Sequence, residues 1–472
     1  MGTHYDVVVL GAGSGNTIVD DRFSHLRVAI VERGPYGGTC VNRGCIPSKM
    51  FVHAAEVASA ALRGPALGLR TRHDGVDWPA LRDRVAGRVD AVARSGEEHR
   101  RGQDHVDVLT GTARFTGPRR LVVDLEDGTT TEVTADQVVV ATGSRPVVPD
   151  VPGLHDVPHH TSDTILRIEA LPARMAVLGG GYVGCELAQV FAALGVEVTQ
   201  VESEDTLLAS QDEDVARAVT AAAGRRWEVR LGTRLERAVP LDGGGARMEL
   251  DDGSTFETDL VLVATGRETN ADLLDLDAAG VEVDDTGRVV VDAHQRTTAE
   301  GVWALGDASS HEPLKHVANQ DARVVAHNLL HPDDLVVSDH RYVPLAVFTE
   351  PQVAAVGLTE AEAREQVADL AVARHDLADT AYGWALQADP DDRDPAGPGG
   401  FVKLLGDRST GLLVGAHVVA PQAASLVQVL VHAITHGLPV AGLARSEYWI
   451  HPAPTEVVEN ALLALEEEMG RA

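Results

Sequence analysis

The sequence predicts an α/β fold: two copies of one strand–turn–helix–strand unit, followed by a C-terminal α+β domain. Three observations carry this reading. A glycine-rich turn occurs twice, each time between an apolar strand and a second strand that ends in an acid. Each copy is followed by an apolar strand closing on Ala-Thr-Gly. From about Ser338 the pattern changes to alternating strands and then helices. A length of 472 residues suits about three domains rather than one core.

The first copy is Y-D-V-V-V-L-G-A-G-S-G-N, with Gly11, Gly13 and Gly15, and its strand R-V-A-I-V-E ends at Glu32. The second is R-M-A-V-L-G-G-G-Y-V-G, with Gly179, Gly181 and Gly184, and its strand V-E-V-T-Q-V-E ends at Glu202. Such glycines let the backbone approach a pyrophosphate, whose charge the helix N-terminus faces, while the terminal acid accepts from ribose hydroxyls. One motif alone is weak; two complete copies predict two Rossmann-like dinucleotide-binding domains. Asn16 stands where a third Gly or Ala is usual, and the helix expected after it is weakly patterned. This predicts altered helix–strand packing, not loss of binding. V-V-V-A-T-G-S-R-P at 138–146 brings Ala141, Thr142 and Gly143 to a strand end. L-V-A-T-G-R at 262–267 does the same with Gly266, and V-W-A-L-G-D-A delivers Asp307 to the mouth of the sheet, where a ribitol chain could bond. The C-terminal strands are expected at Ala346–Glu350, Val353–Gly357, Phe401–Leu405 and Leu412–Val419. Asp389 to Gly400 is a loop by composition.

The chemistry centres on G-G-T-C-V-N-R-G-C-I-P-S-K, from Gly37 to Lys49. Two cysteines five apart can close a small ring at a helix N-terminus, where the dipole favours a thiolate. Pro47 suits the first turn of that helix. With three cysteines in all, a structural disulfide framework is excluded, and with no second pair a zinc site is not expected. Cys40 and Cys45 therefore read as redox-active rather than as packing residues, and Cys185 as a small buried apolar residue. Only three of the 40 basic residues are lysines, Lys49, Lys315 and Lys403, and this scarcity sets each of them apart from the arginines.

On these motifs, and on Y-W-I-H-P-A-P-T-E near the C-terminus, the whole chain resembles the pyridine nucleotide–disulfide oxidoreductases, the family of glutathione reductase and dihydrolipoamide dehydrogenase. The resemblance implies an FAD-dependent, NAD(P)H-oxidising disulfide reductase. FAD would be held by 1–151 and 269–335 and NAD(P) by 152–268, with 338–472 as the dimerisation domain of a homodimer. Cys45 would be the flavin-side cysteine and Cys40 the exchanging one. Lys49, paired with Glu186, would lie near the flavin, and Tyr182 would gate the nicotinamide. Thr39 and the Ala141–Gly143 turn would contact FAD, and Gly266 NAD(P). His451, oriented by Glu456, would be the acid–base of the other subunit's site.

Several details resemble the branch that reduces mycothione: S-G-N, I-P-S-K-M-F-V-H-A-A-E-V-A, L-K-H-V-A-N-Q-D-A-R-V-V-A-H-N-L-L and Y-W-I-H-P. Dihydrolipoamide dehydrogenase and a glutathione reductase-like enzyme are the alternatives. No cysteine follows Cys185, which sets aside mercuric and large thioredoxin reductases, and the C-x-x-C of small thioredoxin reductases is absent. A redox sensor fits poorly with a full set of reactive residues, and an oxygen-reducing oxidase normally lacks the two-cysteine ring. Glu202, reinforced by Glu204 and Asp205 and with no arginine before Arg217, favours NADH, although the mycothione branch is associated with NADPH.

The net charge of −31 is spread along the chain and argues against nucleic acid or anionic membrane as partners. There is no apolar run long enough to span a bilayer, and Met1 to Tyr5 lead straight into a strand without room for a signal peptide. A cytoplasmic enzyme with a small-molecule disulfide substrate is expected.

Overall fold

The computed structural model describes residues 2–386 and 400–470; the expected loop from Asp389 therefore lies outside the described residues, apart from Gly400. The first sheet is built on Thr3–Leu10, which pairs in parallel with Val28–Glu32 on one side and with Thr130–Val140 on the other. Val302–Ala304 extends it in parallel beyond Thr130–Val140, and Val106–Gly117 beyond Val28–Glu32. Val7 and Val9 enter the core on one face, with Ile18, Phe23 and Val325, whereas Val8 and Leu10 enter the core on the other, with Leu121 and Leu274. A strand buried on both faces reads as the continuous apolar run seen in the sequence.

The helices that follow this unit are α1, Gly38–Asn42, α2, Cys45–Arg63, and α3, Trp78–Arg101. The helix expected inside the unit does not form. Two 3-10 turns, Gly15–Thr17 and Asp21–Phe23, stand in its place. Asp20 turns its carboxylate onto the Arg22 backbone N–H, a cap that competes with helix continuation. Carbonyls that a helix would satisfy internally are met by Arg100, buried near the end of α3. Its guanidinium donates to Asn16 O at 2.6 Å, to Val19 O at 2.8 Å and to Asn16 Oδ1 at 2.7 Å. Asn16 thus anchors an arginine instead of spacing a helix from a strand.

The second unit is regular. Its sheet has five parallel strands in the order Glu228–Arg230, Glu197–Val201, Arg174–Leu178, Leu260–Val263, His159–Thr161. Helix α4, Tyr182–Ala193, starts directly after Gly181, and α5, Glu213–Gly224, follows. A Cβ on Gly184 would lie 2.2 Å from Gly179 O, so only glycine lets α4 sit this close to the strand end. α2 packs on α4 through one apolar cluster containing Phe51, Trp78, Cys185 and Phe191.

Helix α6, Lys315–Leu330, returns the chain to the first sheet. The C-terminal sheet is antiparallel, in the order Leu345–Val347, Gln352–Gly357, Leu412–Ala420, Phe401–Asp407, Leu370–Asp376. The last of these strands is absent from the sequence reading, and the first ends at Val347 rather than Glu350. Short helices α7, Glu360–Gln366, and α8, Ala381–Ala385, precede α9, Ala423–Thr435, and α10, Glu456–Gly470. Leu430 of α9 and Leu462 of α10 belong to the apolar core of this sheet. Among the described residues no helix is long and apolar enough to cross a membrane.

Candidate active site

A cavity of about 920 Å³ opens at the C-terminal ends of the first sheet's strands and reaches α2, α4 and α6, the position where open α/β sheets bind ligands. Of the residues expected to hold FAD, Gly11, Gly13, Glu32, Thr39, Lys49, Ala141, Thr142, Gly143 and Asp307 line it. Gly15 does not; a Cβ there would meet Ala141 Cβ at 2.7 Å, so its role is close packing. Gly13 and Gly38 meet backbone to backbone, a Cβ on Gly38 falling 2.8 Å from Gly13 Cα. Only main chain stands there, as a pyrophosphate cradle requires.

Glu32 accepts from the Ala12 N–H at 2.7 Å and the Gly34 N–H at 2.8 Å, which fixes its carboxylate at the loop. Thr142 Oγ1 is buried and has no protein hydrogen-bond partner, although it lines the cavity; such a group calls for a ligand atom or water. Asp307 accepts from Ser144 Oγ at 2.6 Å, and Arg267 donates to the same Oγ at 2.9 Å. Motifs far apart in sequence, A-T-G-S-R-P, A-T-G-R and L-G-D-A, therefore converge on one hydrogen-bonded wall. These donors and acceptors fit a flavin dinucleotide.

Cys40 lies in α1 and Cys45 is the first residue of α2, and both are free thiols lining the cavity. The Cys40 thiol donates a hydrogen bond to Cys45. This bond is the main reason that the Cys45 pKa is lowered to about 7, against the opposing effect of burial, with its own backbone N–H and the charges of Lys315 and Lys49 adding to it. The same bond, with burial, pushes the Cys40 thiol well up. The pair is thus polarised toward charge on Cys45, the direction that the α2 N-terminus favours.

Lys49, one helical turn beyond Cys45, pairs with Glu186 of α4 at 3.2 Å. Burial lowers the pKa of the ammonium, and Glu186 opposes this. Phe348 touches both partners. Its N–H donates to Glu186 Oε1 at 2.9 Å, and its ring lies under the Lys49 ammonium at 3.2 Å from the centroid. Phe348 was not legible in the sequence, nor were Ser144, Arg267 or Lys315 as cavity residues. For Lys315 the rarity of lysine was the one signal available.

Tyr182 lines the cavity at the start of α4, but Gly179, Gly181, Gly184, Glu202 and Gly266 lie outside it. Glu202 is held at the second glycine loop by the Gly180 N–H, by Ser203 Oγ at 2.9 Å and by the Glu204 N–H at 2.9 Å. Cys185 is fully buried, and burial raises its thiol pKa to about 12. Its Sγ donates to Gly180 O at 3.2 Å, so it is a packing residue.

His451 and Glu456 meet each other, Nδ1 to Oε2 at 3.4 Å, but neither lines the cavity of their own chain. Glu456 opens α10 and is largely buried, whereas the His451 side chain is 66% exposed. Tyr448 and Ile450 beside it are also bare. Among the described residues no group of three His, Cys, Asp or Glu side chains could hold a metal.

Residues 5–322 match the family description "Pyridine nucleotide-disulphide oxidoreductase", and residues 343–462 match its dimerisation domain. The mycothione reductase of Mycobacterium tuberculosis (strain H37Rv) is 48% identical over 469 residues, covering 98% of this chain and 99% of the relative. The dihydrolipoyl dehydrogenase of Halobacterium salinarum is 37% identical over 100% of this chain and 98% of its own. Among solved structures, the HOCl-induced flavoprotein disulfide reductase RclA from Escherichia coli superposes with a TM-score of 0.84 at 27% identity, covering 97% of this chain and 99% of that one.

Proposed function

The chain belongs to the pyridine nucleotide-disulphide oxidoreductases, FAD-containing and NAD(P)H-dependent enzymes with a dimerisation domain, and from that premise we propose that it reduces mycothione to mycothiol. The chemistry rests on one observation, the free thiols of Cys40 and Cys45 together in the cavity, with Cys45 at the N-terminus of α2. The substrate reading is supported by 48% identity along the whole chain to a mycothione reductase, against 37% to a dihydrolipoyl dehydrogenase.

On this reading, residues 1–151 and 269–335 hold FAD, 152–268 hold NAD(P), and 338–472 form the subunit contact. Bound FAD supplies the carrier between the nicotinamide and the protein disulfide. Lys49, fixed by Glu186 and Phe348, presents a positive charge beside that carrier, and Tyr182 covers the nicotinamide side until NAD(P)H enters. In the reduced enzyme Cys40 gives its proton to His451 of the partner subunit and attacks one sulfur of mycothione. The substrate S–S bond breaks, a Cys40–mycothiol disulfide forms, and the leaving thiolate takes the proton from that histidine. The Cys45 thiolate then attacks Cys40 Sγ, which re-forms the Cys40–Cys45 disulfide and releases the second mycothiol as its thiolate, which takes a proton from solvent. The substrate gains two electrons and the cysteine pair loses two.

A substrate panel tests the assignment. Mycothione should be reduced with a kcat/KM about a hundredfold above that for glutathione disulfide or lipoamide. Faster oxidation of dihydrolipoamide by NAD+ than reduction of mycothione would overturn it.

The nicotinamide cofactor is argued from Glu202. Its carboxylate is anchored at the end of the strand, with the exposed Glu204 and Asp205 beside it. A 2′-phosphate entering there would meet like charge, which costs about 1–2 kcal/mol in a solvated site. NADH should therefore have a kcat/KM about tenfold above that of NADPH, and Glu202→Arg should move the ratio toward NADPH. Steady-state kinetics with both cofactors decide it; a strong wild-type preference for NADPH would mean that residues elsewhere bind the phosphate.

A further inference from the structure

One lysine in the cavity has no part in the mechanism above. Lys315 opens α6 and donates to Ser14 Oγ at 2.7 Å, across 301 positions of sequence. Ser14 Oγ in turn faces Asn319 Oδ1 at 3.4 Å, one turn further along α6. All three residues line the cavity that Cys40 and Cys45 line. The other two lysines are neutralised: Lys49 by Glu186 at 3.2 Å, and Lys403 by Asp212, Asp214 and Glu360 at 2.8, 2.7 and 2.7 Å. Among the described residues no ion pair joins Lys315 to a carboxylate, so no side chain of the protein neutralises its charge, and the Ser14 hydroxyl keeps a flexible ammonium from swinging away.

We infer that Lys315, tethered by Ser14, is an electrostatic positioning residue that keeps Cys45 in its thiolate form. The inference rests on the reading of Cys45 as the flavin-side thiolate. Cys40 from α1, Lys49 on its own helix, Tyr182 from α4 and Lys315 from α6 interact with Cys45, Glu186 of α4 acts through Lys49, and on the proposed dimer His451 of the partner subunit joins them. Lys49 is offset by Glu186, which leaves Lys315 as the unopposed cation of the chain's own set. Its positive charge favours the thiolate form of both cysteines, as that of Lys49 does for Cys45. A charge held in a cavity with low-dielectric walls acts more strongly than one in water.

The test uses Cys40→Ser holoenzyme, in which Cys45 is the lone cavity thiol, and follows its thiolate-to-flavin charge-transfer absorbance against pH. Adding Lys315→Met should raise the titration midpoint by about one unit, a tenfold loss of thiolate on the acid side. Lys315→Arg should restore the parental midpoint, and Ser14→Ala should shift it part of the way. A purely structural role for Lys315 would leave the midpoint in place. Lys315→Gln, which keeps a donor for Ser14 without the charge, carries the same expectation as Lys315→Met. For any variant that releases flavin, the pH dependence of Cys45 alkylation by iodoacetamide reads the same midpoint. An unmoved midpoint in both uncharged variants overturns the inference alone. A parent with no band at any pH overturns the reading of Cys45 and this inference with it.

Discussion

Cys40→Ser and Cys45→Ser should each lower disulfide reduction by about a thousandfold or more, because each removes one of two sulfurs that act in sequence. Their spectra should differ. Cys40→Ser keeps a hydroxyl donor against Cys45, so the Cys45 thiolate persists and a long-wavelength charge-transfer absorbance should be present even in the oxidised enzyme. The Cys45 pKa is lowered to about 7 in the native pair, first by the Cys40 hydrogen bond. The band should therefore grow as pH rises through about 7 and fade below it. Cys40→Ala removes the donor and should move that titration upward. Cys45→Ser leaves only Cys40, whose thiol burial holds protonated, so the band should be missing while NAD(P)H still bleaches the flavin. Absorbance titrations of the three variants settle the order of the sulfurs. A band in Cys45→Ser and none in Cys40→Ser would reverse the assignment.

The second glycine unit was legible in the sequence because its logic is local. Gly179, Gly184 and Glu202 lie within one strand–helix–strand segment, where Gly184 packs closely on Gly179 and Glu202 accepts from the Gly180 N–H. The first unit looked alike over Gly11 to Glu32, yet its helix is replaced by two short turns. The partner that makes this possible, Arg100, is 84 positions from Asn16, and nothing within the unit announces it. The missed strand Leu370–Asp376 has a different cause. Its fully inward side chains are the small Ala371 and Ala373, while Leu370 and Val372 are only half-buried, so the usual large-apolar alternation is muted. The cysteine pair, Lys49 and the C-terminal histidine could be picked out by motif. Ser14, Lys315 and Phe348 could not, because each acts through a contact more than 160 positions away in sequence.

The separation of His451 from its own chain's cysteines leads to the second large effect. His451 faces Glu456 at 3.4 Å, is mostly exposed beside the bare Tyr448 and Ile450, and is absent from the cavity wall. On the proposed mechanism, a base so placed would serve the cysteines of the other subunit across a dimer contact. Exposed apolar side chains around it are what such a contact covers. His451→Ala should therefore lower disulfide turnover by about a hundred- to ten-thousandfold, the usual contribution of a positioned acid–base. Hydride transfer from NAD(P)H to the flavin, which needs no thiol proton transfer, should be nearly unchanged. Glu456→Gln keeps the hydrogen-bonding shape but removes the charge that stabilises the imidazolium, and should lose less. Mixed dimers make the geometry testable. One subunit carries Cys40→Ser and Cys45→Ser with its histidine intact; the other carries His451→Ala with its cysteines intact. If the histidine works in trans, the second subunit's cysteines regain a base from the first. Dimers purified through two different tags should then recover about half of the wild-type turnover, one working site of two. If the base works within its own chain, neither site is complete and the purified mixed dimer stays as inactive as its parents. Stopped-flow reduction by NAD(P)H, run on the same samples, shows that both flavin sites are intact, so an inactive mixed dimer with normal flavin reduction counts directly against the in-trans histidine.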